Sequence, residues 1–115
     1  MTLSHSIEVV DDDGEYGVRG YRCPKGCAAS ASYVARCPRC GATTDQVVFP
    51  GHGTVWSTTV LRIPNGEFPA DRTIAYVDLH EGPRVLCEMQ ETPVIGQAAR
   101  ISGVGIAGTP VAVRA

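Results

Sequence analysis

Two pairs of cysteines within residues 23–40 constrain this chain more than any other feature of it. Cys23 and Cys27 bracket Pro24-Lys25-Gly26, Cys37 and Cys40 bracket Pro38-Arg39, and nine residues separate the pairs. Zinc takes four thiolates tetrahedrally at ~2.3 Å, so each pair has to deliver two sulfurs to one point from a single tight turn. Spacings of two to four residues achieve this, and Gly26 and Gly41 can adopt the left-handed backbone that such turns need. The spacing therefore predicts one zinc held by Cys23, Cys27, Cys37 and Cys40. Four protein thiolates leave no position for water or substrate, so such a metal is structural, not catalytic. Iron also suits a knuckle reading Cys37-Pro38-Arg39-Cys40-Gly41, because softness does not separate the two metals at four thiolates. Only Tyr33 is aromatic among residues 28–36, a thin shelter for an electron-transfer iron. Zinc is preferred, and a rubredoxin-like redox protein stands as an alternative.

The other uses of paired cysteines fit less well. A disulfide framework needs an oxidising compartment, and the N-terminus offers no basic stretch followed by an apolar one. A redox pair would be expected near a βαβ pattern, and none surrounds Cys37 and Cys40. Reduced cysteines without an export signal point to the cytoplasm. No apolar run approaches the ~20 residues of a membrane span. The 115 residues suit one domain, or one domain with a small module.

The organisation expected along the chain is an N-terminal arm over residues 1–17, a zinc ribbon over 18–48 and a barrel over 49–115. Ile7 and Val9 could begin a strand, but Asp11-Asp12-Asp13-Gly14 makes a solvated acidic terminus the expectation. Short strands are predicted at Gly20–Arg22 and Tyr33–Arg36, flanking the knuckles. Beyond Gly51-His52-Gly53 the texture turns β-branched, with strands predicted at Thr54–Ile63, Arg72–His80, Arg84–Glu91, Ala98–Ile106 and Val111–Arg114. In the second of these Ala75, Val77 and Leu79 share a face, and in the third Val85, Cys87 and Met89 do. No segment carries helical periodicity. Five short strands in ~60 residues, with Gly103, Gly105 and Gly108 at bends, suit a small OB-fold barrel. The fold class is therefore mostly β, a rubredoxin-like zinc ribbon followed by a five-stranded OB-fold barrel, the two packed together.

Charge separates the candidate ligands. The formal net charge is −2 and the pI about 5.8. Arg19, Arg22, Lys25, Arg36 and Arg39 nevertheless cluster around the cysteines, with no acid between Glu15 and Asp45. They could compensate an anionic tetrathiolate, or bind phosphate or an acidic protein surface. Over the barrel, arginines and acids balance. A single-strand-binding barrel combines a basic groove with stacking aromatics. Trp56 and Tyr76 are present without the charge excess, so a single-stranded nucleic-acid module is the other alternative. Cys87 is expected in the core, and Trp56 in the core or at an interface. His5, His52 and His80 are scattered, and neither a phosphate loop nor a convincing nucleophile is evident. No catalytic residue is expected.

One resemblance gathers these features. The ribbon ending in Cys37-Pro38-Arg39-Cys40-Gly41 is followed by Gly51-His52-Gly53-Thr54-Val55-Trp56-Ser57-Thr58-Thr59-Val60, then Phe68-Pro69, Asp78-Leu79-His80-Glu81-Gly82-Pro83-Arg84 and Gly96. That order, from about Tyr21 onward, resembles the acyl-CoA-associated zinc-ribbon/OB-fold proteins, the domain of unknown function 35 type. The resemblance implies a non-catalytic accessory subunit of a thiolase, aldolase or acyltransferase complex that handles acyl-CoA thioesters. It implies that the chain stabilises its partner and helps form the coenzyme A site. Arg22, Lys25, Arg36, Arg39, Phe68 and Arg72 are then the candidates for contact with partner or coenzyme A. The chain departs from the family in having three residues within the first knuckle where two are usual. A short acidic arm also stands where the family has a helical segment.

Overall fold

A computed structural model describes residues 7–61, 72–105 and 108–115. Among the described residues there are nine strands and no α-helix, hence no helix long and apolar enough to cross a membrane. β1 (Glu8–Asp12), β2 (Glu15–Arg22), β3 (Ala29–Ser30) and β4 (Asp45–Pro50) form one antiparallel sheet in which β2 pairs with the other three. β5 (His52–Leu61), β6 (Arg72–Leu79), β7 (Arg84–Met89), β8 (Ala98–Val104) and β9 (Pro110–Arg114) close into a barrel in the order β5-β6-β7-β9-β8. Among the described strands only β7 and β9 run parallel, the closure expected of an OB-fold.

The barrel follows its side-chain alternation. Ala75, Val77 and Leu79 on β6 and Val85, Cys87 and Met89 on β7 all point into the core, with Val55, Ala99, Ile101 and Ala112. The expected faces of β6 and β7 are therefore those observed, and Cys87 is wholly buried. The glycines of the last bend have separate reasons. Gly103 follows a register shift in β8, but a methyl there would meet open space. At Gly105 a Cβ would meet Glu88 and Val111, and Gly108 has a φ of 79°.

The N-terminal part departs further from expectation. Residues 8–12, anticipated as part of a solvated acidic arm, are instead strand β1. Its partners run from Glu8 opposite Arg19 to Asp12 opposite Glu15, and Asp13 and Gly14 make the turn at positive φ. The acids of Asp11-Asp12-Asp13 sit at a hairpin turn, where aspartate tolerates the left-handed region. Tyr33–Arg36 is not a strand; Arg36 makes a single bridge to Thr43. The strand on the far side of the knuckles is β4, and the expected boundary at 48/49 falls within it.

β4 also joins the two parts. It runs through Gly51 directly into β5, and Gly51 donates its N–H to Tyr16 O at 3.1 Å while its carbonyl accepts from Ile101 N at 2.8 Å. Phe49, 1% exposed, carries its ring to the turn between β6 and β7. There a Cβ on Gly82 would lie 2.6 Å from the ring's Cγ, closer than any side chain tolerates. Val18 and Phe49 of the sheet thus share one core with the barrel residues. The two parts pack together, as expected.

Candidate metal centre

The two knuckles have the same backbone logic. In the first, Gly26 N donates to Cys23 O at 2.9 Å and Cys23 N to Ala28 O at 3.0 Å. In the second, Gly41 N donates to Cys37 O and Cys37 N to Ala42 O, both at 2.8 Å. Gly26 and Gly41 have φ of 80° and 76°, the left-handed geometry that a side chain would strain. The loop between the knuckles is pinned by Thr44, whose N donates to Ala35 O and whose hydroxyl donates to Val34 O.

This geometry gathers the four sulfurs. The thiols of Cys23, Cys27, Cys37 and Cys40 all lie within 4.8 Å of one another, and Cys23 Sγ is 3.5 Å from Cys40 Sγ. Tetrahedral zinc with ~2.3 Å bonds to sulfur would place its ligands ~3.8 Å apart, so the donor set fits with little adjustment. Cys23 and Cys37 are buried residues, whereas Cys27 and Cys40 are exposed. The thiols are electrostatically unequal. The backbone N–H of Cys27 is the main influence lowering Cys23 to about 6. Cys27, crowded by the sulfurs of Cys40 and Cys23, is pushed up to about 11. The Arg39 N–H points at Cys37 Sγ from 3.4 Å, a further donor suited to a thiolate. An apolar pocket of about 180 Å³, formed by residues including Ala28, Val34 and Pro38, adjoins the two buried sulfurs.

The basic candidates divide between the two parts. Arg22, Lys25, Arg36 and Arg39 are all exposed at the cysteine end of the sheet, and Arg36 Nη1 donates to Gly41 O at 3.0 Å. Arg72 lies elsewhere, on β6 of the barrel, half-buried and 2.6 Å from Glu88 Oε1. Phe68 lies outside the described residues, as does the rest of 62–71. Tyr33 is 72% exposed and meets Tyr21 edge-on with ring centroids 5.1 Å apart. His52 Nε2 is 3.5 Å from Glu15 Oε2, beside a groove of about 380 Å³ between the hairpin and β4. Cys87 stands apart from the metal set, and burial raises its thiol to about 12.

Sequence reasoning missed one cluster on the barrel exterior. Trp56, expected in the core or at an interface, is half exposed, so it is not a core residue. It follows the buried Val55 on β5 and so faces outward, and a register shift between Val55 and Ser57 leaves it as the extra residue of a β-bulge. Arg84 Cζ lies 3.5 Å from the indole centroid, and Tyr76 meets the indole edge-on at 6.2 Å. The alternation of β6 pointed Tyr76 outward, but no sequence signal placed the bulge.

Comparisons with known proteins agree with this architecture. The family model described as the ChsH2, C-terminal OB-fold domain matches residues 46–104, slightly more than half of the chain. Among solved structures, the chain is similar to one titled Ltp2-ChsH2(DUF35) aldolase, at 24% identity and a TM-score of 0.68, covering 85% of this chain and 84% of that one. It is also similar to a DUF35-family protein of unknown function from Sulfolobus solfataricus, at 17% identity and a TM-score of 0.61, covering 86% of this chain and 74% of the other. At these identities the likeness is one of fold. No curated protein sequence matches.

Proposed function

Because this chain belongs to the DUF35 family, through the ChsH2 C-terminal OB-fold domain, we propose that it is a non-catalytic, zinc-binding accessory subunit of a thiolase-like complex acting on acyl-CoA thioesters. The observation that carries the proposal is the family match to the barrel, together with a structural neighbour named for the pairing of a ChsH2 DUF35 protein with the aldolase Ltp2. Cys23, Cys27, Cys37 and Cys40 hold the zinc, which orders the ribbon carried by β2–β4 and leaves the barrel from β5 onward to support the partner. Structural zinc contributes ~10–16 kcal/mol of binding free energy in finger peptides, enough to decide whether a module this small folds. Zinc is favoured over iron because Cys27 and Cys40 are exposed residues and Tyr33 is turned to solvent, a thin shelter for an electron-transfer centre.

In this reading the chemistry belongs to the partner. Arg22, Lys25, Arg36 and Arg39 form a cationic end on an otherwise acidic chain, suited to coenzyme A phosphates or an acidic partner surface. Phe68 and Arg72, the latter the first residue of β6, are the remaining candidates for that contact. The cytoplasm is the compartment that fits reduced thiolates and a coenzyme A pathway. Co-expression with a genomically adjacent thiolase-like protein tests the proposal. The two should co-elute as a hetero-oligomer containing one zinc per copy of this chain. A neighbour that is stable alone and elutes separately contradicts it.

A further inference from the structure

We infer that the exterior of the barrel around Trp56 is the face that docks onto the partner, and that the surface it meets there is apolar and uncharged. This rests on the accessory-subunit reading above and assigns the interface within it. Trp56 follows the buried Val55 on β5 and faces outward at the β-bulge. Arg84 covers its ring, and the Arg84 guanidinium is itself fixed by Asp78, with Nε to Oδ1 at 2.6 Å and Nη2 to Oδ2 at 3.3 Å. Tryptophan, tyrosine and arginine are the residue types that dominate interface energies. A cluster already locked in place loses little conformational entropy on binding.

The neighbouring turn extends the apolar surface. Gly96 N donates to Val55 O at 2.8 Å and Val55 N donates to Gln97 O at 2.9 Å, so the turn at 93–97 is seated on β5 next to Trp56. Its Val94 and Ile95 are 60% and 64% exposed, as Trp56 is at 50% and Tyr76 at 44%. Together these four residues leave roughly 400–500 Å² in water, most of it on apolar side chains, the size at which a patch on a monomer is often functional. That is about half of the ~800 Å² that a standard interface takes from each partner.

Charge selects the kind of occupant. A barrel that holds single strands needs cations free to meet phosphates. Here Arg84, the one cation at the patch among the described residues, is neutralised by Asp78; elsewhere on the barrel Arg72 faces Glu88 and Arg114 faces Glu91, while Arg100 is exposed on β8. The patch therefore offers a neutral aromatic surface, complementary to an apolar protein surface and not to a polyanion.

The chain contains one tryptophan, so 5-fluorotryptophan incorporated into this chain alone reports on Trp56 by ¹⁹F NMR. On adding the thiolase-like partner the resonance should shift and lose its solvent isotope effect. Trp56→Ala should weaken the complex about 30-fold or more, and Tyr76→Ala should weaken it in the same direction. Both should keep wild-type zinc content and cooperative unfolding. Val48→Ser, at an exposed valine on β4, should leave affinity unchanged. If the wild-type complex forms but the resonance stays put and Trp56→Ala binds within about threefold of wild type, the docking face is wrong while the accessory-subunit reading stands. If the wild type forms no complex, that reading fails and takes this one with it. Self-association of the wild type that Trp56→Ala abolishes would assign the face to a second copy instead, overturning the proposal.

Discussion

Phe49 should be the residue on which sheet and barrel jointly depend, and its truncation gives the sharpest test of the packing. The ring is 1% exposed and lies against Gly82, where a Cβ would sit 2.6 Å from Cγ and 2.7 Å from Cδ1, and against Gly20, where one would sit 2.8 Å from Cε2. Phe49→Ala removes the ring from two backbones that have no side chains with which to fill the space. The cost should be about 3–5 kcal/mol, the range for a fully buried phenylalanine. For a chain of this length that lowers the melting temperature by roughly 12–20 °C. Gly82→Ala should itself cost about 1–3 kcal/mol, because the new methyl overlaps a ring that cannot retreat. The two changes should not add. In the Phe49→Ala background the Gly82 methyl occupies vacated space, so Gly82→Ala should become neutral or stabilising, a coupling of about 1–3 kcal/mol. Urea unfolding of the four zinc-loaded proteins, followed by far-UV circular dichroism, measures the whole cycle. Additivity within about 0.5 kcal/mol, or a Phe49→Ala cost below about 1 kcal/mol, would refute the claim that this ring joins the two parts.

Serine at any of Cys23, Cys27, Cys37 or Cys40 should abolish stoichiometric zinc and unfold the ribbon, while Cys87→Ser should keep full zinc, with metal analysis on fresh protein deciding. In the zinc-loaded native protein Cys87 should resist alkylation at pH 8, since a thiol raised to about 12 is ionised in about one molecule in ten thousand. Chelation should expose four reactive thiols and denaturation the fifth. Glu91 is held below its ordinary value of 4.5 by the backbone N–H of Arg114, at 2.9 Å, and by the Arg114 guanidinium. A depressed carboxylate contributes stability that is complete above about pH 4.5 and is lost as pH falls through the lower folded value. Glu91→Gln should therefore lower stability at neutral pH and match wild type at strongly acid pH. Acid titrations of unfolding that stay parallel throughout would contradict this.

The sequence carried the barrel well and the N-terminal sheet poorly, for a physical reason. β6 and β7 alternate strictly because one face is sealed in the core, so their registers could be read before any pairing was known. β1 and β4 lack that constraint. Glu8, Asp11 and Asp12 on β1, and Asp45, Gln46, Val48 and Pro50 on β4, leave most of both strands solvated, so alternation is muted and pairing with β2 decides the structure. The cysteine site was legible because two short spacings each encode a complete turn, and Gly26 and Gly41 adopt the φ values that those turns demand. The Trp56 cluster was not, because its three residues come from three strands and a one-residue bulge shifts their register.

The central claim is that this chain enables a partner's chemistry without performing it. The direct measurement is turnover of a CoA thioester by the co-purified thiolase-like protein, in a thiolysis or retro-aldol assay, with this chain present, removed and added back. The account predicts no turnover by this chain alone, a sharp loss when it is removed, and recovery on adding the zinc-loaded chain that saturates near one equivalent per binding site. A partner equally active and equally stable without it would contradict the account.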